Sequence, residues 1–425
     1  MKCFKVLVML FFTITLSAQS FLGTIDYGNL SFNFKISLTT IDNHTNAFFS
    51  SIEMNAYEIP CQNTSYEKDS LSFYVISDYY TYKYKYIKQN NNFKGHLRVY
   101  SNENKQLLNT FETDLVEENR TDIKVIEKQD VSFTSNGLNF FGTLWNPKNS
   151  TQKGLFLVTS SQGNDRSSSN AEASYFASLG YTVFNYDKRG TGKSEGNWQS
   201  ATIEDLCTDD INAISFFAKT AMLPLSKIGI KGSSQGGIKI PYILTKIPEL
   251  NYGISVSCPS GTLLESDLNN WKNMNVDKIG QENINLAAKA QKAGYEYLAN
   301  NMSFKKLNSI KNKYENQFWF EHVWIPEEHI QKDYKLNFNG LPYFKKISQP
   351  ILVIQGLSDK VIPENSYLII EKALKKSKSR AYEILTLENT THSMTYLDKE
   401  FPYFQTLTPN YLISIVEWLN KIENN

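Results

Sequence analysis

From about Asp130 onwards, short apolar runs alternate with stretches of helical periodicity, and this alternation is the strongest constraint on the fold. Strands that alternate with helices are typical of a mostly parallel sheet with helices packed on it. The helical stretches are 171–179, 203–218 and 411–418. The apolar runs predict strands at 155–158, 182–186, 228–230, 253–256, 351–354 and 382–385. We therefore expect an α/β fold for this part of the chain.

Two other segments have patterns of their own. Between residues 21 and 128, runs such as Leu30 to Ile36 and Leu71 to Ile76 alternate apolar and polar side chains, as half-buried strands do. The interval from about 260 to 345 is polar and helix-prone, and it separates two predicted strands. These patterns predict a β-rich N-terminal domain over 21–128 and an α/β domain over 129–425, with a helical cap inserted at about 260–345.

Residues 1–20 have the order of a cleavable secretory signal peptide. A short basic start precedes the apolar run from Val6 to Leu16, and small or polar residues follow at 17–20. The apolar run is short for a membrane span, and an uncleaved anchor is the alternative interpretation. We expect an exported protein, periplasmic or secreted, without a stable membrane anchor.

Charge and cysteine content argue against several classes of function. Lys and Arg total 44 against 43 Asp and Glu, a net charge of +1 that gives no electrostatic argument for nucleic acid or an acidic membrane. Beyond Cys3, the odd and widely spaced set Cys61, Cys207 and Cys258 fits neither a disulfide framework nor a zinc knuckle. Free thiols and a small-molecule partner are the expectation.

A Gly-x-Ser-x-Gly pattern spans Gly232 to Gly236, directly after the predicted strand 228–230. A serine at the apex of a sharp strand-to-helix turn exposes its hydroxyl, and small residues on either side prevent clashes across the turn. The following helix offers free N–H groups and a partial positive charge to a developing oxyanion. Ser234 is therefore the candidate nucleophile, with an ordinary turn serine as the alternative.

A serine nucleophile needs a base, and the base needs an acid that orients it. Of the five histidines, only His392 follows the last predicted strand, and Asp359 follows the strand 351–354. Functional groups gather at the carboxyl ends of strands in open α/β sheets, and the chain order Ser, acid, His fits such a site. The sequence therefore predicts a Ser234, Asp359 and His392 triad. Taken singly, Asp359 also fits a turn and His392 a surface loop.

Backbone groups for an oxyanion hole are predicted from position. Gln235 would supply one N–H, and Ser161 or Gln162, after the strand 155–158, would supply the second, with an ordinary polar turn as the alternative. The glycine-rich segment 186–194 lacks the glycine spacing of a phosphate-binding loop. We interpret that segment as a structural turn with an internal ion pair.

Four pieces of this sequence also match a known family: 187–194, 232–237 with Pro241, 356–363 and 391–393. On these motifs, residues from about 130 to 421 resemble the serine-aminopeptidase and esterase branch of the α/β-hydrolase superfamily. The N-terminal segment is similar to the first domain of secreted two-domain hydrolases of this kind. The resemblance implies hydrolysis of an ester, thioester or amide through an acyl-enzyme, with no metal or organic cofactor.

Three functions remain open at this point. The first is a carboxylesterase, in which Trp319, Phe320 and Trp324 line the substrate pocket or else form the core of the cap. The second is a peptidase acting on short peptides, whose substrate amine Glu327 and Glu328 could anchor, although adjacent charges are usually solvated. The third is a non-catalytic binding protein on the same fold, against which the intact triad argues.

Overall fold

The computed structural model describes residues 17–27, 30–41, 44–118, 125–379, 381–397 and 403–423. The chain divides into two compact units, Met1–Ile123 and Lys124–Asn425. The predicted signal peptide lies mostly outside the described residues, and its end, Ser17 to Ser20, begins the first strand. Within the described part of the chain, no helix combines the length and apolarity that a membrane span requires.

The first unit is β-rich, as predicted. Its strands are β1 (Ser17–Tyr27), β2 (Leu30–Ile41), β3 (His44–Ser51), β4 (Ala56–Pro60), β5 (Gln62–Glu67), β6 (Ser70–Ile76), β7 (Tyr80–Gln89), β8 (Asn92–Ser101) and β9 (Leu107–Glu117). They form one antiparallel sheet in the order β4-β3-β2-β1-β9-β8-β7-β6-β5. Since Cys61 alone separates β4 from β5, both edges of the sheet belong to one extended stretch of chain.

Aromatic side chains form the interior of this sheet. Residues alternate between buried and accessible along β2 and β7, which places one face of each strand inward. The Phe73 and Tyr84 rings stack with centroids 4.7 Å apart, and the Phe34 and Phe49 rings stack at 5.5 Å. Stacked rings of this kind stabilise neighbouring strands beyond their hydrogen bonds.

The second unit is built on a mostly parallel sheet. Its strands are β10 (Ile126–Ser135), β11 (Leu138–Pro147), β12 (Gly154–Leu157), β13 (Thr182–Tyr186), β14 (Ile228–Ser233), β15 (Tyr252–Val256), β16 (Ile351–Gly356) and β17 (Tyr382–Leu387). Their order is β10-β11-β13-β12-β14-β15-β16-β17. The pairs β10–β11 and β11–β13 are antiparallel, and the remaining neighbours are parallel. The predicted strands correspond to β12 through β17, whereas the sequence pattern did not predict the β10–β11 hairpin.

Helices cover this sheet and fill its long connection. They are α1 (Asn170–Ser178), α2 (Ile203–Thr220), α3 (Gln235–Lys246), α4 (Leu263–Ile279), α5 (Ile284–Leu298), α6 (Phe304–Tyr314), α7 (Leu341–Phe344), α8 (Ser366–Leu374) and α9 (Tyr411–Glu423). Helix α2 begins with a capping box, in which Thr202 and Asp205 exchange side-chain and backbone hydrogen bonds. The main core contains Phe156 and Ile230 from the sheet and Phe217 from α2, all fully buried.

The helices α4 to α7 lie between β15 and β16. We call the segment that contains them, residues 257–350, the helical insertion. It has a buried cluster of its own around Trp319 and Ile284. Elsewhere in the sheet, the chain moves from β12 to β13 on one side and returns to β14 on the other. Open α/β sheets bind ligands where the strand order reverses in this way. A functional site is therefore expected at the carboxyl ends of β12 and β14.

Candidate active site

Ser234 lies at the turn between β14 and α3. Its backbone has φ 55° and ψ −117°, a strained conformation that is typical of a nucleophile exposed at a strand-to-helix turn. Its N–H donates to the Val256 carbonyl oxygen at 2.9 Å. Glycine is required beside it, because a Cβ on Gly232 would lie 2.6 Å from the backbone of Gly236.

His392 joins Ser234 to Asp359 through both ring nitrogens. Its Nε2 lies 2.9 Å from Ser234 Oγ, and its Nδ1 lies 2.8 Å from Asp359 Oδ2. If the proton resides on Nδ1 and is donated to the carboxylate, Nε2 is free to accept from the serine hydroxyl. The Asp359 side chain is 0% exposed and the His392 side chain 18%, so water reaches the imidazole but not the carboxylate.

Backbone groups fix the positions of both partners of Ser234. Asp359 Oδ1 accepts hydrogen bonds from the N–H groups of Val361 and Ile362, at 2.8 and 3.2 Å, in the turn after β16. The carbonyl oxygen of His392 accepts from Ser257 Oγ at 2.7 Å. Because main-chain groups move less than free side chains, this arrangement keeps the acid and the imidazole aligned.

The helical insertion contacts the turn that carries Asp359. Asn269 Nδ2 on α4 donates to the Val361 carbonyl oxygen at 3.1 Å, and Asn273 Nδ2 donates to the Lys360 carbonyl oxygen at 2.7 Å. Neither asparagine is among the predicted site residues. Their spacing of four on one helix was the available signal, since residues so spaced share a face.

The 160–163 loop, which follows β12, lies beside the end of β14. Ser160 Oγ donates to the Ser233 carbonyl oxygen at 2.8 Å. Ser161 is half-buried, and Gln162 is exposed with a φ of 61°. The loop therefore contacts the end of β14 through Ser160, and the choice between Ser161 and Gln162 as the second oxyanion N–H stays a prediction.

Gln235 begins α3 directly after Ser234. An N–H in the first turn of a helix has no intrahelical acceptor, so the backbone of Gln235 is free to donate elsewhere. Its side chain is buried, and its Oε1 meets no hydrogen-bond partner among the described residues.

A buried network lies next to the 160–163 loop. Lys239 Nζ on α3 lies 2.6 Å from Asp210 Oδ2 on α2, and neither side chain is exposed. Lys239 Nζ also donates to Thr159 Oγ1 at 2.8 Å, and the Tyr186 hydroxyl donates to Asp210 Oδ1 at 2.7 Å. The network therefore ties the helix behind Ser234 to the residue that precedes the loop.

The ion pairs of the segment 186–194 are not internal. Asp187 pairs with Arg166 at 2.6 Å, and Arg189 pairs with Asp209 on α2 at 2.6 Å. The prediction of an internal pair is therefore wrong. Tertiary packing places Arg166 and Asp209, from two other segments, within ion-pair distance. Adjacent residues in a tight turn cannot reach each other with the same geometry.

The predicted pocket aromatics differ in their surroundings. Trp319 is fully buried in the core of the insertion, 5.6 Å from the Tyr314 ring by centroid, and it has no surface to offer a substrate. Phe320 is half-buried and Trp324 is exposed. A substrate contact by Phe320 or Trp324 stays a prediction.

A carboxyl outside the predicted site residues lies on α4. Asp267 is exposed to water, yet burial by the surrounding protein atoms and the nearby Asp333 carboxylate raise its pKa to about 6. Burial and, after it, the charge of Asp267 raise the pKa of Tyr295 on α5. By contrast, Glu327 and Glu328 are simply exposed. Asp267 is therefore an exposed acidic group of the insertion with a raised pKa.

Among the described residues, no cluster of His, Cys, Asp and Glu side chains is arranged to hold a metal ion. Cys61, Cys207 and Cys258 are free thiols, of which the last two are buried. Burial raises the pKa of Cys258 to about 12, so its thiolate is disfavoured.

The family model of X-Pro dipeptidyl-peptidases (S15 family) matches residues 137–394, more than half of the chain. No curated protein matches the sequence. Among solved structures, the chain is similar to an esterase from Pyrococcus furiosus (16% identity, covering 70% of this chain and 91% of that one, TM-score 0.44). It is also similar to an α/β-hydrolase from a Penicillium species (19% identity, covering 70% of this chain and 97% of that one, TM-score 0.44). A third similar structure is a candidate dipeptidyl aminopeptidase IV from Bacteroides ovatus (12% identity, covering 93% of this chain and 48% of that one, TM-score 0.44).

The resemblance to α/β-hydrolases and the predicted fold class are thus confirmed by the family match and by the sheet described above. The chain belongs to the X-Pro dipeptidyl-peptidase (S15) family and is a serine hydrolase with an α/β-hydrolase fold.

Proposed function

We propose that this protein is an exported serine hydrolase in which Ser234 is the nucleophile, His392 the general base and Asp359 the orienting acid. The observation that carries the proposal is the unbroken series of hydrogen bonds from Ser234 Oγ through both ring nitrogens of His392 to Asp359. A buried carboxylate, an accessible imidazole and a serine on a strained turn are the parts that such a reaction requires.

The reaction proceeds through an acyl-enzyme. His392 Nε2 takes the hydroxyl proton of Ser234 as Oγ attacks the substrate carbonyl carbon, and Asp359 stabilises the imidazolium that forms. The imidazolium then gives its proton to the leaving group as the tetrahedral intermediate collapses. His392 Nε2 then takes a proton from water as the water oxygen attacks the acyl carbon, and it returns that proton to Ser234 Oγ when the acyl–oxygen bond breaks and the acid leaves.

The oxyanion of the tetrahedral intermediate is stabilised by backbone N–H groups. Gln235, at the first position of α3, supplies one of them, and Ser161 or Gln162 supplies the other. The contact between Ser160 and Ser233 supports this assignment, because it keeps the loop against the Ser234 turn.

The proposed substrates are small esters or thioesters. They carry good leaving groups, and the triad needs no further group to protonate them. Short peptides with a free amino terminus are the second candidate, favoured by the family to which the chain belongs. The exposed carboxyl of Asp267 on the insertion supports this candidate, since a carboxylate that a substrate can reach pairs with its ammonium.

Labelling with a fluorophosphonate tests the nucleophile. We expect stoichiometric labelling of the wild-type protein and of Ser233→Ala, a matched control one residue away, and none of Ser234→Ala. Labelling that persists in Ser234→Ala, or a folded wild-type protein that never reacts, would contradict the proposal.

Paired substrates separate ester from peptide hydrolysis. We expect turnover of p-nitrophenyl esters, and kcat/KM is compared with that for dipeptidyl p-nitroanilides with free or acetylated amino termini. If peptides are the substrate, Asp267→Asn raises KM for the free-amine anilide alone. Equal effects on the free and acetylated anilides would exclude Asp267 as the amine anchor.

Export is tested on the protein isolated from its source cells. We expect the mature chain to begin near residue 21 and to be found outside the cytoplasm, because residues 1–20 have the features of a signal peptide. An intact Met1 on cytoplasmic protein would contradict this part of the proposal.

A further inference from the structure

Lys188 is a buried lysine whose ammonium contacts the backbone of the 160–163 loop. It lies two residues after β13, and only 2% of the residue is exposed. Its Nζ donates to the carbonyl oxygen of Ser160 at 2.8 Å and to the carbonyl oxygen of Gln162. A charged donor shared between two carbonyl groups of one short loop fixes the orientation of both peptide planes.

The geometry of the peptide group relates this contact to the reaction. In a planar trans peptide, the C=O of one residue and the N–H of the next point in opposite directions. The Ser160 carbonyl is turned toward Lys188, so the Ser161 N–H points away from the ammonium. A hydrogen bond to the carbonyl also polarises the peptide group and makes that N–H a stronger donor.

The loop is held next to Ser234 by contacts that do not involve Lys188. Ser160 Oγ donates to the Ser233 carbonyl oxygen at 2.8 Å. The helix that follows Ser234 packs closely on the residues that lead into the loop, since a Cβ on Gly236 would lie 3.1 Å from the Val158 carbonyl oxygen and 3.2 Å from that of Thr159. These contacts set the position of the loop, while Lys188 sets the direction of its peptide groups.

An aromatic ring and several charged groups surround the Lys188 ammonium. The Trp198 ring lies 4.5 Å from Nζ and covers it. Burial, and the charges of Lys239 on α3 and Lys335 in the helical insertion, lower the pKa of Lys188 to about 7, with Asp210 on α2 acting in the opposite direction. The charge of Lys188 therefore changes within the pH range in which a serine hydrolase works.

Resting on the proposed function, we propose that Lys188 is a positioning residue: its ammonium orients and polarises the peptide group between Ser160 and Ser161, so that the Ser161 N–H, rather than that of Gln162, is the second oxyanion donor. The N–H of Gln162 belongs to the peptide group of the Ser161 carbonyl, which Lys188 does not contact. Lys188 acts through the loop and does not touch the substrate.

Kinetics on a p-nitrophenyl ester, normalised to sites titrated with a fluorophosphonate, test the proposal. We expect Lys188→Met to lower kcat per titrated site by about 10- to 100-fold, somewhat less than the loss of a whole oxyanion donor. KM should change by less than about threefold, because the ground-state carbonyl gains little from that donor. The matched control is Lys193→Met, which removes an exposed lysine of the same turn and should leave kcat unchanged.

The pH profile separates a positioning role from a structural one. In the wild-type protein, kcat should fall as pH rises through the pKa of Lys188, about 7. Lys188→Arg keeps the charge at all these pH values and should retain turnover while losing the descending limb. Lys188→Met should also lack the limb, at a uniformly lower kcat.

Wild-type kcat per titrated site in Lys188→Met would overturn the proposal, and so would a descending limb that Lys188→Arg leaves unmoved. The arginine variant decides the question if the methionine variant does not fold. Failure of the proposed function is a separate result, because the wild-type protein would then not be labelled at all.

Discussion

Replacement of Lys239 by methionine is expected to lower the free energy of unfolding of the second unit by about 3 to 5 kcal/mol. Lys239 Nζ lies 2.6 Å from Asp210 Oδ2, and both side chains are 0% exposed, so the variant leaves a carboxylate buried without its counter-charge. At an effective dielectric constant of 20, the lost attraction is about 6 kcal/mol. Hydrogen bonds from Tyr186 and Thr159 to Asp210 remain and offset part of that loss.

Urea unfolding followed by tryptophan fluorescence measures this effect, because all six tryptophans lie in the second unit. The matched control is Lys421→Met, which breaks an exposed pair with Glu383 and should cost less than about 0.5 kcal/mol. The double variant Lys239→Met with Asp210→Asn removes both charges and should recover most of the loss. A loss in Lys239→Met no larger than in Lys421→Met would refute the reasoning.

Three further predictions concern the site and the insertion. Asp359→Asn should lower kcat by about 10⁴-fold with little change in KM, measured per titrated site on a p-nitrophenyl ester; a loss below tenfold would contradict the role of Asp359. Gly237→Ala should lower the free energy of unfolding by about 1 to 3 kcal/mol, because its Cβ would lie 2.7 Å from the Val256 carbonyl oxygen, and an unchanged urea midpoint would speak against this close approach. The folded protein holds a proton on Asp267 between its unfolded pKa of 3.8 and its folded pKa of about 6, so wild-type stability should fall as pH rises through that window. Relative to wild type, Asp267→Asn should therefore gain about 1 kcal/mol between pH 4 and pH 8, after allowance for screening by water, and a pH-independent difference in urea unfolding would exclude the shift.

The strands of the parallel sheet could be predicted because each is buried on both faces and is therefore a continuous apolar run. The run 182–186 matches β13 at both ends, and 228–230 marks the start of β14. The β10–β11 hairpin could not be predicted from the sequence, because its two strands mix exposed and buried residues and pair antiparallel at the edge of the sheet. Apolar periodicity is weakest in that situation.

The roles of Ser234, Asp359 and His392 were inferred from chain order and from their places after strands, and the structure brings the three within hydrogen-bonding distance. Chain order and spacing do not predict which of the proposed pocket aromatics face a substrate. Trp319 and Trp324 lie five residues apart, yet one is fully buried and the other exposed, since the packing of the insertion decides which ring faces its core.

The sequence by itself therefore determined the alternation of strands and helices, the glycines that permit the Ser234 turn and the order of the three site residues, because these depend on local conformation and spacing along the chain. Tertiary structure alone decided the partners of the buried charges. Lys188 meets the carbonyl of Ser160, and Lys239 meets Asp210. These pairs join segments that are far apart in the chain, and a charge or an amide in the sequence carries no record of which distant group will satisfy it once water is excluded.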